Sequence, residues 1–207
     1  MAYKAIGFDY GGVIKGSPGA IFGAGITDIL HVTDEQFYKA YYKHNKAVNR
    51  GEITWPTLWK LVLTDLNKSD KFQEVMALHN EVYNQSLNSN MLELVDTLRK
   101  SGYKVGLLSN NTLDEEAKMI SQHLEQHFDV LHVSASTGFV KPEPEAFIKF
   151  ASDLGVNMNE LVFIDDSAKS LSTAKECGYA PILFKSYEQL LDELANIGIK
   201  YAKVLAK

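Results

Sequence analysis

Ala5-Ile6-Gly7-Phe8-Asp9-Tyr10-Gly11-Gly12-Val13-Ile14 sets the reading of this chain, because an apolar run gives way to a carboxylate and then to two glycines. A short apolar run bounded by a glycine pair predicts a buried strand that ends in a tight turn. In an open α/β sheet, the loops at the carboxyl ends of the strands are where ligands bind. Asp9 at that rim is solvated enough to ionise and near enough to a backbone turn to hold a cation or attack an electrophile. The same residues also suit an ordinary turn whose Asp accepts backbone hydrogen bonds.

Outward from this segment, Tyr3 to Phe8, Lys104 to Leu108, Leu161 to Ile164 and Pro181 to Phe184 carry the strand signature, with a weaker run at Val130 to Val133. Helix-period segments alternate with them at Met91 to Lys100, Leu113 to Gln126, Glu143 to Leu154 and Ala168 to Cys177. Such alternation implies right-handed crossovers and a mostly parallel sheet, a Rossmann-like α/β fold flanked by helices. Gly102, Gly155 and Gly178 stand just past three of these segments, where left-handed helix stops belong.

The interval from about Lys15 to Asn88 breaks the rhythm. It lacks a convincing strand but offers a capping-box start at Thr33-Asp34-Glu35-Gln36 and a Pro-primed start at Thr54-Trp55-Pro56. Amphipathic stretches follow over Phe37 to Val48, Leu58 to Leu66 and Phe72 to Leu87. The pattern predicts a small all-α subdomain over 16–88, inserted into a core of 1–15 and 89–207, and hanging over the rim that bears Asp9.

Composition narrows the partners. A net charge of -5, with 21 Lys and Arg scattered among 26 Asp and Glu, provides no basic field for nucleic acid or an anionic membrane. The tail lysines Lys200, Lys203 and Lys207 read as the solvated side of a terminal helix. Cys177 stands alone, which rules out an intramolecular disulfide and fits a reducing compartment. With no basic leader and no membrane-length apolar run, the expectation is a soluble cytoplasmic protein, monomeric or homodimeric.

Chemistry-bearing residues recur at the predicted strand ends. Leu107-Leu108-Ser109-Asn110-Asn111 presents a hydroxyl and backbone N–H groups near a helix start, where anions are favoured, although a helix cap reads the same way. Gly138-Phe139-Val140-Lys141-Pro142-Glu143-Pro144 fixes a lysine beside a proline; the alternative is an ordinary exposed lysine in a turn. Phe163-Ile164-Asp165-Asp166-Ser167 sets two mutually repelling acids after a buried strand, so a cation would stabilise them, whereas a helix cap accounts for only one.

These four segments, in this order, resemble the motifs of the haloacid dehalogenase superfamily, whose commonest members are magnesium-dependent phosphatases. The resemblance covers roughly residues 1–15 and 89–190, and the insertion point matches the helical-cap subclass, in which Arg50-Gly51-Glu52-Ile53-Thr54 also resembles a recurrent cap segment. It implies Asp9 as a nucleophile that becomes an aspartyl phosphate and also binds Mg²⁺. Ser109 and the N–H of Asn110 would hold phosphoryl oxygens, and Lys141 would bridge them to Asp9. Asp166 would ligate the metal directly, with Asp165 acting through water or orienting the site.

Gly11 departs from the pattern. Phosphatases of the superfamily usually place there a second Asp, whose carbonyl binds metal and whose side chain works as the general acid and base. Gly11 keeps only the carbonyl. General acid–base help is worth about 10²- to 10⁴-fold, so slower turnover is expected. The cap would select a small phosphorylated metabolite, with Lys15, Lys43, His44, Lys46, Arg50, Trp55 and Trp59 as candidate contacts, or else as solvated charges and a helix-core indole pair. Competing readings are a metal-free haloacid dehalogenase, in which Asp9 attacks carbon, and a non-catalytic phosphate-binding member, to which Gly11 lends weight.

Overall fold

The computed structural model describes residues 2–16 and 25–201, so Lys203 and Lys207 lie outside the described residues. Five strands, β1 (Ala5–Phe8), β2 (Lys104–Ser109), β3 (Val130–Val133), β4 (Leu161–Asp165) and β5 (Ala180–Leu183), form one sheet in the order β3-β2-β1-β4-β5. Every pairing is parallel. Phe8 pairs with Leu107 of β2 and with Ile164 of β4, so Asp9, the end of β2 and Asp165 emerge on one edge of the sheet. That edge, beside the central strand where the strand order reverses, is the topological switch point.

The sheet is covered on both faces, which explains its continuous apolar strands. Met91, Leu94, Val95 and Leu98 from helix Ser89–Lys100, with Met119, Leu190 and Leu194, pack on one face. Phe147, Phe150, Ala151 and Leu154 cover the other. Gly7 and Gly106 sit opposite one another on β1 and β2, and a Cβ at either would come within 2.6 Å of the Phe150 ring. Bare backbone there lets the ring lie flat against the sheet.

Among the described residues, no strand lies between β1 and helix Ser89–Lys100, where only isolated bridges of Lys15 with Gly11 and Leu87 occur. Helices Asp34–Asn49, Trp55–Asp65 and Phe72–Tyr83 bury Phe37, Val48, Leu58, Trp59, Val62, Leu63, Val75 and Val82 in a cluster of their own. The Thr33 capping box and the Thr54 cap with its proline start the first two, as their sequences predict.

Helix extents differ from expectation in three places. The helix expected over Leu113 to Gln126 ends at Ser121, because His123 turns left-handed at φ 58° and a short 3-10 turn, Leu124–Gln126, follows. The one expected over Phe72 to Leu87 ends at Tyr83, and Leu87 bridges to Lys15 instead. The one expected over Ala168 to Cys177 is helical only over Ala174–Cys177. There the backbone is diverted toward the site, with the Ser167 N–H donating to Asp165 Oδ1 at 2.8 Å and the Thr173 hydroxyl to the Pro142 carbonyl at 2.8 Å. No helix among the described residues is long and apolar enough to cross a membrane.

Candidate active site

The strand ends converge. Carboxylate oxygens of Asp9, Asp165 and Asp166 lie within 4.8 Å of one another. Into this group reaches the Lys141 ammonium, 2.7 Å from Asp9 Oδ1 and 2.6 Å from Asp165 Oδ2. Lys141 is 4 % exposed and Asp165 fully buried. Ser109, also buried, closes β2 on the same edge.

Local contacts fix each group. Asp9 Oδ1 accepts the Tyr10 N–H at 2.7 Å as well as the lysine, so among the described residues Oδ2 accepts no hydrogen bond. Both Asp165 oxygens are committed, one to Lys141 and one to the Ser167 N–H. Asp166 approaches the turn after Asp9 so closely that a Cβ at Gly12 would stand 2.0 Å from its Oδ2. Gly12, at φ 82°, is therefore required both by the left-handed turn and by this approach.

The Asn110 side chain does something the sequence did not announce. Its amide donates to the Lys141 carbonyl at 2.8 Å, and its oxygen accepts the Lys141 N–H at 2.8 Å. This cyclic pair holds the lysine segment against the end of β2. No spacing in the sequence signals a side chain that pairs with backbone 31 residues away.

The site is short of positive charge. Burial pushes Asp9 up to about 7; Lys141 pulls it down while Asp165 pushes it up again. Burial also works against the Lys141 ammonium, but Asp9 and Asp165 outweigh it and hold that group above its ordinary value. Asp9 and Asp165 thus share the Lys141 ammonium with the Asp166 carboxylate close by, an acid-rich group that suits a hard divalent cation on oxygen donors. The oxygen donors of Asp9, Asp165 and Asp166 therefore fit Mg²⁺.

Tyr10 turns away from this centre into the core, where its hydroxyl meets Glu115 Oε1 at 3.1 Å. Burial and Glu115 push the phenol up, so it stays protonated. It does not replace the acid missing at Gly11.

Of the seven candidate contacts in the helical layer, two reach the site's surroundings. Arg50 grips Glu143, two residues beyond Lys141, with 2.7 and 2.8 Å bonds, and Lys46 lies 3.1 Å from the same carboxylate. The others are used elsewhere. Lys15 is buried against Glu115 at 2.8 Å, Lys43 and His44 pair with Asp65, and Trp55 and Trp59 stack in the helical cluster.

A cleft of about 420 Å³ opens over Lys141 and Asn110, walled by Tyr42, Asn45, Lys46 and Asn49 on one side and Ser167, Lys169 and Ser170 on the other. Tyr42, Asn45 and Asn49 accompany the expected Lys46 at three- and four-residue spacing, so one helix face forms this wall. A groove of about 470 Å³ between helices Asp34–Asn49 and Trp55–Asp65 includes none of the strand-end residues.

Residues 24–184 match the family of haloacid dehalogenase-like hydrolases. The chain belongs to that family. Asp9 precedes the matched span and is tied to it by the pairing of β1 with β2 and β4. Among its relatives, bifunctional epoxide hydrolase 2 of Rattus norvegicus is 32 % identical over 163 residues, which span 72 % of this chain and 29 % of the rat protein. The chain thus spans less than a third of the length of that relative. The pyrophosphatase PpaX of Halalkalibacterium halodurans is 26 % identical over 74 % of this chain and 72 % of its own. In structure, the chain resembles a haloacid dehalogenase family enzyme of Bacteroides thetaiotaomicron, with a TM-score of 0.71, 23 % identity and coverage of 92 % and 99 % of the two chains. The same bacterial enzyme complexed with magnesium and inorganic phosphate gives a TM-score of 0.64 at 22 % identity, covering 91 % and 99 % of the chains.

Proposed function

We infer that the protein is a Mg²⁺-dependent phosphatase that hydrolyses a small phosphorylated metabolite, a sugar phosphate being one candidate, through an aspartyl phosphate on Asp9. The observation that carries this reading is the convergence of three carboxylates on one buried lysine at the switch point of the sheet. Phosphatases among the relatives and the phosphate-bound structural neighbour support it. Residues 16–88 act in this reading as a cap over a core of 1–15 and 89–207.

Asp9 Oδ2 attacks phosphorus, the bond from phosphorus to the leaving oxygen breaks, and the departing alkoxide takes its proton from water, because Gly11 brings no acid. Water then attacks phosphorus, releases inorganic phosphate and restores the Asp9 carboxylate. Covalent catalysis of this kind splits one difficult displacement into two easier ones. Ser109 and the Asn110 N–H hold phosphoryl oxygens, while Lys141 neutralises them and keeps Asp9 aligned. Asp165 secures the lysine. When bound by Asp9, Asp166 and the Gly11 carbonyl, Mg²⁺ supplies charge neutralisation for the phosphoryl group.

A second reading, a phosphate-binding member without turnover, is favoured by one observation: Gly11 stands where an acid usually does. A metal-free dehalogenase is disfavoured, since a bare carboxylate cluster repels an anionic haloacid. Hydrolysis of p-nitrophenyl phosphate with Mg²⁺ and after chelation tests all three. Metal-dependent turnover is expected. Mg²⁺-dependent phosphate binding without turnover, or chloride release from haloacids without metal, overturns the phosphatase reading. By calorimetry, Asp166→Ala should weaken Mg²⁺ binding more than Lys141→Ala; equal losses would contradict the assignment of ligands.

A further inference from the structure

We propose that the substrate's leaving group carries a second anionic group, and that Lys169, held on the cleft wall by Tyr42, receives it. This rests on the phosphatase reading for the strand-end cluster and extends it to the cleft that adjoins it at Lys141 and Asn110.

Three observations support the assignment. First, Lys169 stands where the chain departs from its expected helix. Residues 168–173 form turns rather than the first half of a helix, anchored at Ser167 to Asp165 and at Thr173 to Pro142. Those turns bring Lys169 and Ser170 to the wall of the cleft whose floor is Lys141.

Second, the ammonium is positioned without being neutralised. It lies 4.9 Å from the centre of the Tyr42 ring, and Tyr42 is steadied by Tyr38, stacked 5.8 Å away. An aromatic face attracts a cation yet leaves its charge available to an anion. Among the described residues Lys169 has no carboxylate partner, unlike the other two lysines of the cleft, Lys141 with Asp9 and Asp165 and Lys46 with Glu143.

Third, the charge of the cleft lining differs from that of the neighbouring strand ends. At the strand ends carboxylates gather around the Lys141 ammonium and suit a divalent cation with a phosphoryl group. On the cleft lining Glu143 already faces Arg50 and Lys46, so Lys169 adds to a surplus of positive charge. Beside it, Asn49 donates to Asn45 and Asn45 to Tyr41, which fixes a polar helix face across the cleft. A neutral or purely apolar leaving group would leave that surplus unmatched.

Binding of unreactive phosphonates decides the matter. With Mg²⁺ present, methylphosphonate is compared by calorimetry with ω-carboxyalkyl phosphonates and alkylene bisphosphonates of one to three methylenes. The best of either series should bind at least about tenfold tighter than methylphosphonate, a single added charge-assisted contact being worth that much. The better series tells a carboxylate from a second phosphate. Lys169→Gln should erase the preference and Lys169→Arg should retain it. Absence of any preference in the wild type, a preference untouched by Lys169→Gln, or equal losses for both kinds of ligand would overturn the proposal. Failure of p-nitrophenyl phosphate hydrolysis would instead sink the phosphatase reading, while the phosphonate comparison still answers for Lys169.

Discussion

Two lysines of this protein are almost equally hidden, Lys15 at 3 % exposure and Lys141 at 4 %, and both hold carboxylates at hydrogen-bond distance. They behave oppositely. Lys15 meets one acid, Glu115, whose oxygen also accepts the neutral Tyr10 hydroxyl. Burial dominates there and pushes the Lys15 ammonium down, with Glu115 opposing it. Lys141 meets two acids with a third close by, and its ammonium is held up. A buried pair in which charges match is structural. One in which they do not match has capacity for a ligand, and the mismatch rather than the burial separates chemistry from scaffolding.

The contrast can be broken at either lysine. The largest effect is expected from Asp9→Asn, which should cut Mg²⁺-dependent turnover by at least about 10⁴-fold, as loss of a nucleophile does. The same change removes a carboxylate whose burial, with Asp165 beside it, outweighs its attraction to Lys141, so thermal unfolding should occur no lower than in the wild type. A clear fall in melting temperature would mean that the acidic cluster supports the fold. Next comes Lys15→Met, which strands Glu115 and should cost about 3–5 kcal/mol in urea unfolding. Adding Glu115→Leu should recover much of that loss, and turnover should change little in the double variant. If turnover collapses while stability recovers, Lys15 is not scaffolding.

A third test moves to the helical layer. His79 is buried between Trp55 and Trp59, 3.3 Å from the Trp59 Nε1, and burial pushes it down to about 4. Between that value and an ordinary 6.5 the unfolded chain binds a proton that the folded one refuses. Stability is therefore whole above pH 6.5 and falls as pH drops toward 4, by on the order of 3 kcal/mol. Urea midpoints followed by tryptophan fluorescence at pH 7 and 4.5 should show the loss in the wild type and a smaller one in His79→Gln. Identical acid limbs would refute it. The smallest effect belongs to Arg50→Ala: its pair with Glu143 is about one-third exposed on each side, so no more than about 1 kcal/mol is expected, vanishing in high salt. A larger, salt-insensitive loss would show that this contact bears more of the fold than surface pairing can.

The same contrast shows what the sequence makes legible. Strand ends are readable because a buried apolar run leaves little choice: Phe8 to Asp9, Leu108 to Ser109 and Ile164 to Asp165 each pass from an apolar to a polar residue in one step. The lysine is readable through its prolines. The helical layer is harder, since an isolated Lys, His or Trp on a helix looks alike whether it faces a cleft, a neighbouring acid or a core. Lys15 and Trp59 are unreadable for that reason; only the position of Glu115 and His79 in space decides them. Lys169 is masked by helix periodicity, which two hydrogen bonds from flanking residues override. The role of the Asn110 side chain, unlike that of its N–H, has no sequence signal because its partner is backbone.

The placement of β1 carries a last implication, for the order in which the chain is assembled. Ala5 finds its neighbours at Lys104 on one side and Leu161 on the other, while the helices between 25 and 83 bury residues drawn from that interval alone. Local contacts form fast and distant pairings wait. On a ribosome, the helical layer can consolidate early, but Asp9 is a solitary carboxylate until Asp166 has left the exit tunnel. A nascent chain thus lacks the three-carboxylate cluster until residue 166 has emerged.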